Sequence, residues 1–110
     1  GPVVMVGLGG IYAEILKDVA VQVAPVSEED ALHMIRGLKM FALLDGARGQ
    51  AKADVAAAAR TVARLSEFAC RHAGDVAEID MNPILVRAEG EGVLVLDALM
   101  VPTSPTPCPH

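Results

Sequence analysis

The chain has 110 residues, enough for one hydrophobic core rather than two, and 53% of them are apolar while only 3% are aromatic. A net charge of −5 and a pI near 5.0 argue against a nucleic-acid-binding surface. No apolar run approaches the ~20 residues of a membrane span, no signal-like segment opens the chain, and Cys70 and Cys108 make neither a disulfide framework nor a zinc site, which suits a reducing, cytoplasmic compartment.

Residues 3–6, all apolar, read as a short buried strand that runs into Gly7-Leu8-Gly9-Gly10. A glycine cluster after a strand either makes a tight turn or lets a phosphate reach backbone N–H groups at Gly9 and Gly10. Without a Gly-Lys-Ser/Thr it is not a Walker loop. Residues 11–16 fit a helical turn or a strand, and Glu14 within them reads as a solvated acid. Residues 18–24 then alternate, with Val19, Val21 and Val23 on one face and Ala20, Gln22 and Ala24 on the other. That is a strand, and Pro25 stops it. Ser27 and Asp30 form a capping box for a helix whose inner face carries Ala31, Leu32 and Ile35 and which stops at Gly37. His33 has no second ligand near it and reads as a surface or half-buried residue.

Residues 39–53 connect to the next helix and contain Leu43-Leu44-Asp45-Gly46-Ala47-Arg48-Gly49-Gln50. Arg48 is either a solvated loop residue or a binder of phosphate or carboxylate, since its fork of donors suits bidentate contact. Asp54 caps the longest helix, which runs to about His72 and ends before Gly74. Its apolar stripe is Val55, Ala58, Ala59, Val62, Leu65 and Ala69, and its opposite face carries Arg60, Arg64, Glu67 and Arg71. Glu67 and Arg71 have the favourable i,i+4 order, and His72 suits the helix dipole without implying chemistry.

Two apolar runs, 76–86 and 93–99, flank Arg87-Ala88-Glu89-Gly90-Glu91-Gly92, a hairpin signal. In the first run Glu78, Asp80 and Asn82 alternate with apolar residues and so share one face. The second run holds a lone acid, Asp97. A turn between Glu89 and Gly90 sets Asn82 directly opposite Asp97, on the face that also carries Asp80. Two explanations fit. The pair can hydrogen-bond across the strands, with Asn-Pro marking a strand end. Alternatively it can hold a hard cation, because Mg²⁺ takes oxygen ligands and usually only one or two from protein. Asp80 would then be a third ligand or a group that orients one.

Residues 101–110 carry four prolines and read as an extended or disordered tail. The order strand, strand, helix, helix, strand, strand implies an α+β domain, a mostly antiparallel sheet with two helices on one face.

Three segments carry a resemblance. They are Glu78-Ile79-Asp80-Met81-Asn82-Pro83-Ile84-Leu85-Val86 followed by Val95-Leu96-Asp97-Ala98; Gly1-Pro2-Val3-Val4-Met5-Val6-Gly7-Leu8-Gly9-Gly10-Ile11 with Glu14, Lys17-Asp18-Val19 and Ala24-Pro25; and Leu43 to Gly49. Together they resemble, in order over residues 1–100, the ATP-grasp domain of NDP-forming acyl-CoA synthetases, the group of ADP-forming acetate–CoA ligase and the succinyl-CoA synthetase β subunit. The resemblance implies that residues 1–100 are the C-terminal subdomain of an ATP-grasp fold and that residues 101–110 are a tail. It implies two lobes clamping ATP or ADP, with Mg²⁺ on Asn82 and Asp97, catalytic roles for Asp80 and Arg48, and Gly9, Gly10 and Arg48 beside the nucleotide. The reaction it implies is acid + CoA + ATP giving acyl-CoA, ADP and phosphate through a phosphohistidine, with Asp80 either a ligand or a group that orients that histidine. None of His33, His72 and His110 falls in a motif matching the phosphorylated one. An upstream N-terminal lobe and a CoA-binding domain, in the same chain or a partner subunit, are therefore expected, and the 110 residues alone are expected to be inactive. A non-catalytic interaction domain that keeps the fold is the competing reading, and the residues encoded upstream of Gly1 separate the two.

Overall fold

The computed structural model describes residues 1–8, 18–41, 53–95 and 98–103. Strand β1 (Val3–Leu8) buries Val4, Val6 and Leu8. It pairs antiparallel with β2 (Val19–Val23), after which come helix α1 (Glu28–Arg36) and helix α2 (Val55–Arg71). The long strand β3 (Val76–Val86) follows, then β4 (Val93–Val95) and β5 (Ala98–Pro102). The sheet runs β2-β1-β3-β4, and β5 also pairs with β3. Only the central β1–β3 pair is parallel; the other three are antiparallel. The fold is thus α+β, with both helices on the face that carries Val4, Val6, Ile79, Met81 and Ile84.

Helix α1 begins as its sequence dictates. Ser27 Oγ accepts from the Asp30 N–H at 3.0 Å and the Ser27 N–H donates to Asp30 Oδ2 at 3.3 Å, a closed capping box. Its buried face is Ala31, Met34 and Ile35. Met34 replaces the expected Leu32, which is only half-buried, because positions i, i+3 and i+4 define the stripe. Helix α2 buries Ala57, Ala58, Ala59, Val62, Ala63, Ser66 and Ala69, whereas the larger Val55 and Leu65 flank that line half-buried. Small side chains let α2 lie close to its neighbours. Ser66 crosses the gap to the β2–α1 loop: its Oγ accepts from the Val26 N–H at 2.8 Å and lies 3.1 Å from the Val26 carbonyl. The expected Glu67–Arg71 pair is present at 3.5 Å on the solvated side.

The hairpin keeps the expected register over more elements than expected. Ile84 faces Val95, Leu85 faces Leu94 and Val86 faces Val93, while Asp80 faces Leu99 and Met81 faces Ala98; all follow from a turn between Glu89 and Gly90. The returning chain is described over 93–95 and 98–102, both paired with β3, and residues 96–97 lie outside the described set. The sheet also extends past residue 100. Val101 and Pro102 close β5, with Pro102 on an edge strand where a missing N–H is tolerated, and the Thr103 N–H bonds to the Asp75 carbonyl at 2.9 Å. Residues 104–110 lie outside the described set.

Candidate functional site

With Ile79 and Met81 buried under the helices, strand alternation sends Glu78 and Asp80 to the opposite side of the sheet, which neither described helix covers. Asp80 lies there between Met5 on β1 and Leu99 on β5, and Glu78 lies between Val3 and Val101. Flanked by apolar neighbours on both sides, the Asp80 carboxylate has its Oδ1 atom buried. The valine face of β2 joins this side, leaving Val21 55% and Val23 56% exposed, with Leu99 60% exposed at the other edge.

The ladder between β1 and β3 breaks at one point. Val6 faces Met81, but Leu8 faces Ile84, so Asn82 and Pro83 together oppose the single residue Gly7. A bulge of this kind re-aims side chains and shifts the alternation by one, which returns Ile84 to the core and keeps Asn82 on the side of Asp80. The Asn82 carboxamide leans over β1: a Cβ built on Gly7 would stand 2.7 Å from Asn82 Cγ and 3.2 Å from Nδ2, and nearest of all to Oδ1.

Of the residues singled out from the sequence, the structure therefore brings Asp80 and Asn82 together on one open face, Asn82 at a bulge. Gly9, Gly10, Arg48 and Asp97 lie outside the described residues. The expected register continues on both sides of Asn82, at Met81–Ala98 and at Ile84–Val95. A carboxylate and an amide oxygen are hard donors of the type Mg²⁺ accepts. Among the described residues no three His, Cys, Asp or Glu side chains gather where they could hold a metal, so any cation here takes most of its shell from other sources.

Two buried acids fix the frame, and sequence reasoning missed the role of the first and half the role of the second. Asp18, 4% exposed, accepts from the Lys39 N–H at 2.7 Å through Oδ1 and from the Met40 N–H at 2.9 Å through Oδ2. It ties the start of β2 to the chain leaving α1, and no local spacing announces a contact across that distance. Asp54 was legible as a cap, and its Oδ1 does accept from the Ala57 N–H at 3.1 Å. Its Oδ2 also accepts from the Gly90 and Gly92 N–H groups at 3.1 and 2.9 Å, so the helix cap also holds the hairpin turn. Gly92 first, then Ala57 and Gly90, hold the Asp54 carboxyl below the ordinary carboxylate range.

Residues 1–101 match the sequence profile of the ATP-grasp domain. The chain is 45% identical over 101 residues to the β subunit of the ADP-forming acetate–CoA ligase I of Pyrococcus furiosus, a match covering 92% of this chain and 42% of that protein. It is 42% identical over 97 residues to the ADP-forming 4-hydroxybutyrate–CoA ligase of Nitrosopumilus maritimus, covering 88% of this chain and 14% of that one. Among solved structures it is similar to the dinucleotide-forming acetyl-coenzyme A synthetase 1 of Ca. Korarchaeum cryptofilum in complex with coenzyme A and Mg-AMPPCP. That match has a TM-score of 0.78 and 37% identity, and covers 94% of this chain and 47% of the other. The chain spans less than half the length of each of these relatives.

Proposed function

The chain belongs to the ATP-grasp domain family, and from that premise we propose that it is the magnesium- and nucleotide-binding lobe of an NDP-forming acyl-CoA synthetase. The reaction is acid + CoA + ATP giving acyl-CoA, ADP and phosphate. The observation that carries the reading is the placement of Asp80 and Asn82 on the uncovered sheet face, side by side in β3 and clear of both helices. The Mg-AMPPCP complex of the Korarchaeum relative supports the choice of cation and ligand class.

In this reading Asn82 offers a neutral oxygen and Asp97 an anionic one, both roles implied by the family resemblance, with Asp80 a third ligand or a group that orients one. Bound there, the cation supplies positive charge to the phosphate oxygens during phosphoryl transfer. The chain's own part is to hold its donors rigid before the nucleotide arrives, and an amide seated at a strand bulge within a paired sheet meets that need. Arg48 and the Gly9-Gly10 backbone bring N–H donors to the phosphates. The remaining ATP-grasp lobe and the CoA-binding domain would meet this one in the full-length protein or its complex, and Asn82, Asp97 and Asp80 would be the residues that hold the cation for a nucleotide bound between the lobes.

The test is turnover against Mg²⁺ concentration in the full-length protein, with melting temperature beside it. Asn82→Ala and Asp97→Ala are expected to lower turnover by roughly 100-fold, the usual loss when one preorganised contact to a transferring group is removed, while leaving melting nearly unchanged. Asp80→Asn loses as much if Asp80 is a ligand and less if it orients another group. Turnover that survives Asn82→Ala in a folded protein refutes the cation site on Asn82, and a full-length parent protein without ligase turnover leaves an interaction domain with the same fold.

A further inference from the structure

We infer that Gly7 is a positioning residue for Asn82: by having no side chain it provides the niche in which the Asn82 carboxamide lies, and so sets where that amide's oxygen points. The inference rests on the magnesium reading above and deepens it.

Gly7 is buried and belongs to the strand face that carries Val3 and Met5, as the partner register with β2 and β3 shows. Every other β1 residue on that face puts a Cβ into the layer above the sheet. At Gly7 that volume is taken by Asn82, whose Cγ would be 2.7 Å and Nδ2 3.2 Å from an added Cβ, with Oδ1 nearer still. Real Cβ atoms do not approach other atoms so closely, so any larger residue displaces the amide. Gly7 is also the single residue that the two bulged residues Asn82 and Pro83 oppose. The bulge and the missing side chain thus act at one point: the first aims Asn82 at β1, and the second makes room for it. The hairpin supplies Asn82, but β1 sets the direction of its carboxamide. The φ of Gly7 lies outside the left-handed region, positive values being found among the described glycines at Gly90 and Gly92, so backbone conformation does not demand a glycine there.

A residue that orients a ligand typically changes metal affinity by roughly 10- to 100-fold when replaced. The experiment compares Gly7→Ala, Asn82→Ala and the double variant in the full-length protein. It reads Mg²⁺ affinity from the Mg²⁺-dependent rise in melting temperature with ADP present, and turnover alongside. Gly7→Ala is expected to weaken Mg²⁺ by roughly 10- to 100-fold, and the double variant to be no weaker than Asn82→Ala alone, because Gly7 acts only through that amide. Wild-type Mg²⁺ affinity in Gly7→Ala, or losses that add in the double variant, overturns the inference while leaving the magnesium reading intact. Wild-type affinity in Asn82→Ala removes both. If Gly7→Ala melts too early to assay, the double variant decides. Truncating Asn82 relieves the overlap and is expected to restore melting, and failure to restore it overturns the inference.

Discussion

Asp54 shows how much one side chain can organise. Its carboxylate accepts three backbone N–H groups, from Ala57 on α2 and from Gly90 and Gly92 in the hairpin turn, and these hold its carboxyl below the ordinary range, Gly92 most of all. Asp30 is lowered too, first by the Ser27 N–H and then by the Ser27 hydroxyl of the capping box. A carboxyl whose folded-state value is depressed contributes stability that is present above its unfolded value, about pH 4 for Asp. That stability is lost as pH falls through the folded-state value. The melting temperature is therefore expected to drop on acidification below about pH 4, and Asp54→Asn to melt lower at neutral pH with a shallower acid limb. Melting curves at several pH values check this; an unchanged acid limb in Asp54→Asn would assign the acid sensitivity elsewhere. The sequence revealed half of this role. A cap is local and has a spacing, whereas the bonds from Asp54 to Gly90 and Gly92 join residues far apart in the chain and have none.

At the scale of elements, the strands and helices followed the sequence where a period or a cap governed them. Ser27 with Asp30, Asp54, and the alternation of β2 and early β3 placed four elements within a residue or two. The period of two failed to foresee the phase change at Asn82 and Pro83, because a bulge is defined by pairing with another strand, here β1 at Gly7, which is distant in sequence. It also did not say which face of β2 would be covered: Ala20 and Ala24 turn to the helices while the valines stay out. Of the candidate site, Asp80 and Asn82 were legible as same-face neighbours, and the niche that seats Asn82 was not. The turn between β3 and β4 offers a check at this scale. Gly90 and Gly92 have φ of 86° and 81°, in the left-handed region that costs other residues roughly 1 kcal/mol or more. A Cβ on Gly92 meets nothing within 4 Å, so sterics from neighbours are not the issue. Gly92→Ala is expected to cost roughly 1–2 kcal/mol through backbone strain alone, read by urea denaturation. A stability equal to the parent would mean that the turn adopts another conformation.

The described residues make a two-layer arrangement: helices cover one side of the sheet, and Val21, Val23 and Leu99 stand more than half exposed on the other. The acidic and amide groups of β3 lie on that second side, so the chemistry proposed for this chain sits on the face that its described helices do not cover. Two protein oxygens make a weak cation site in water, because Mg²⁺ holds its hydration shell tightly and is usually bound together with substrate phosphates. The 110-residue chain alone is therefore expected to bind Mg²⁺ only weakly, to gain little thermal stability from Mg²⁺ with ADP, and to show neither ATPase nor acid–CoA ligase turnover. The same residues within the full-length protein are expected to show both the stabilisation and the turnover. Titration of the two proteins side by side, by melting temperature and by phosphate release, makes the comparison. Tight Mg²⁺ binding or ATP hydrolysis by the short chain would mean that this chain already holds a complete site, without oxygens from nucleotide phosphates or a second lobe.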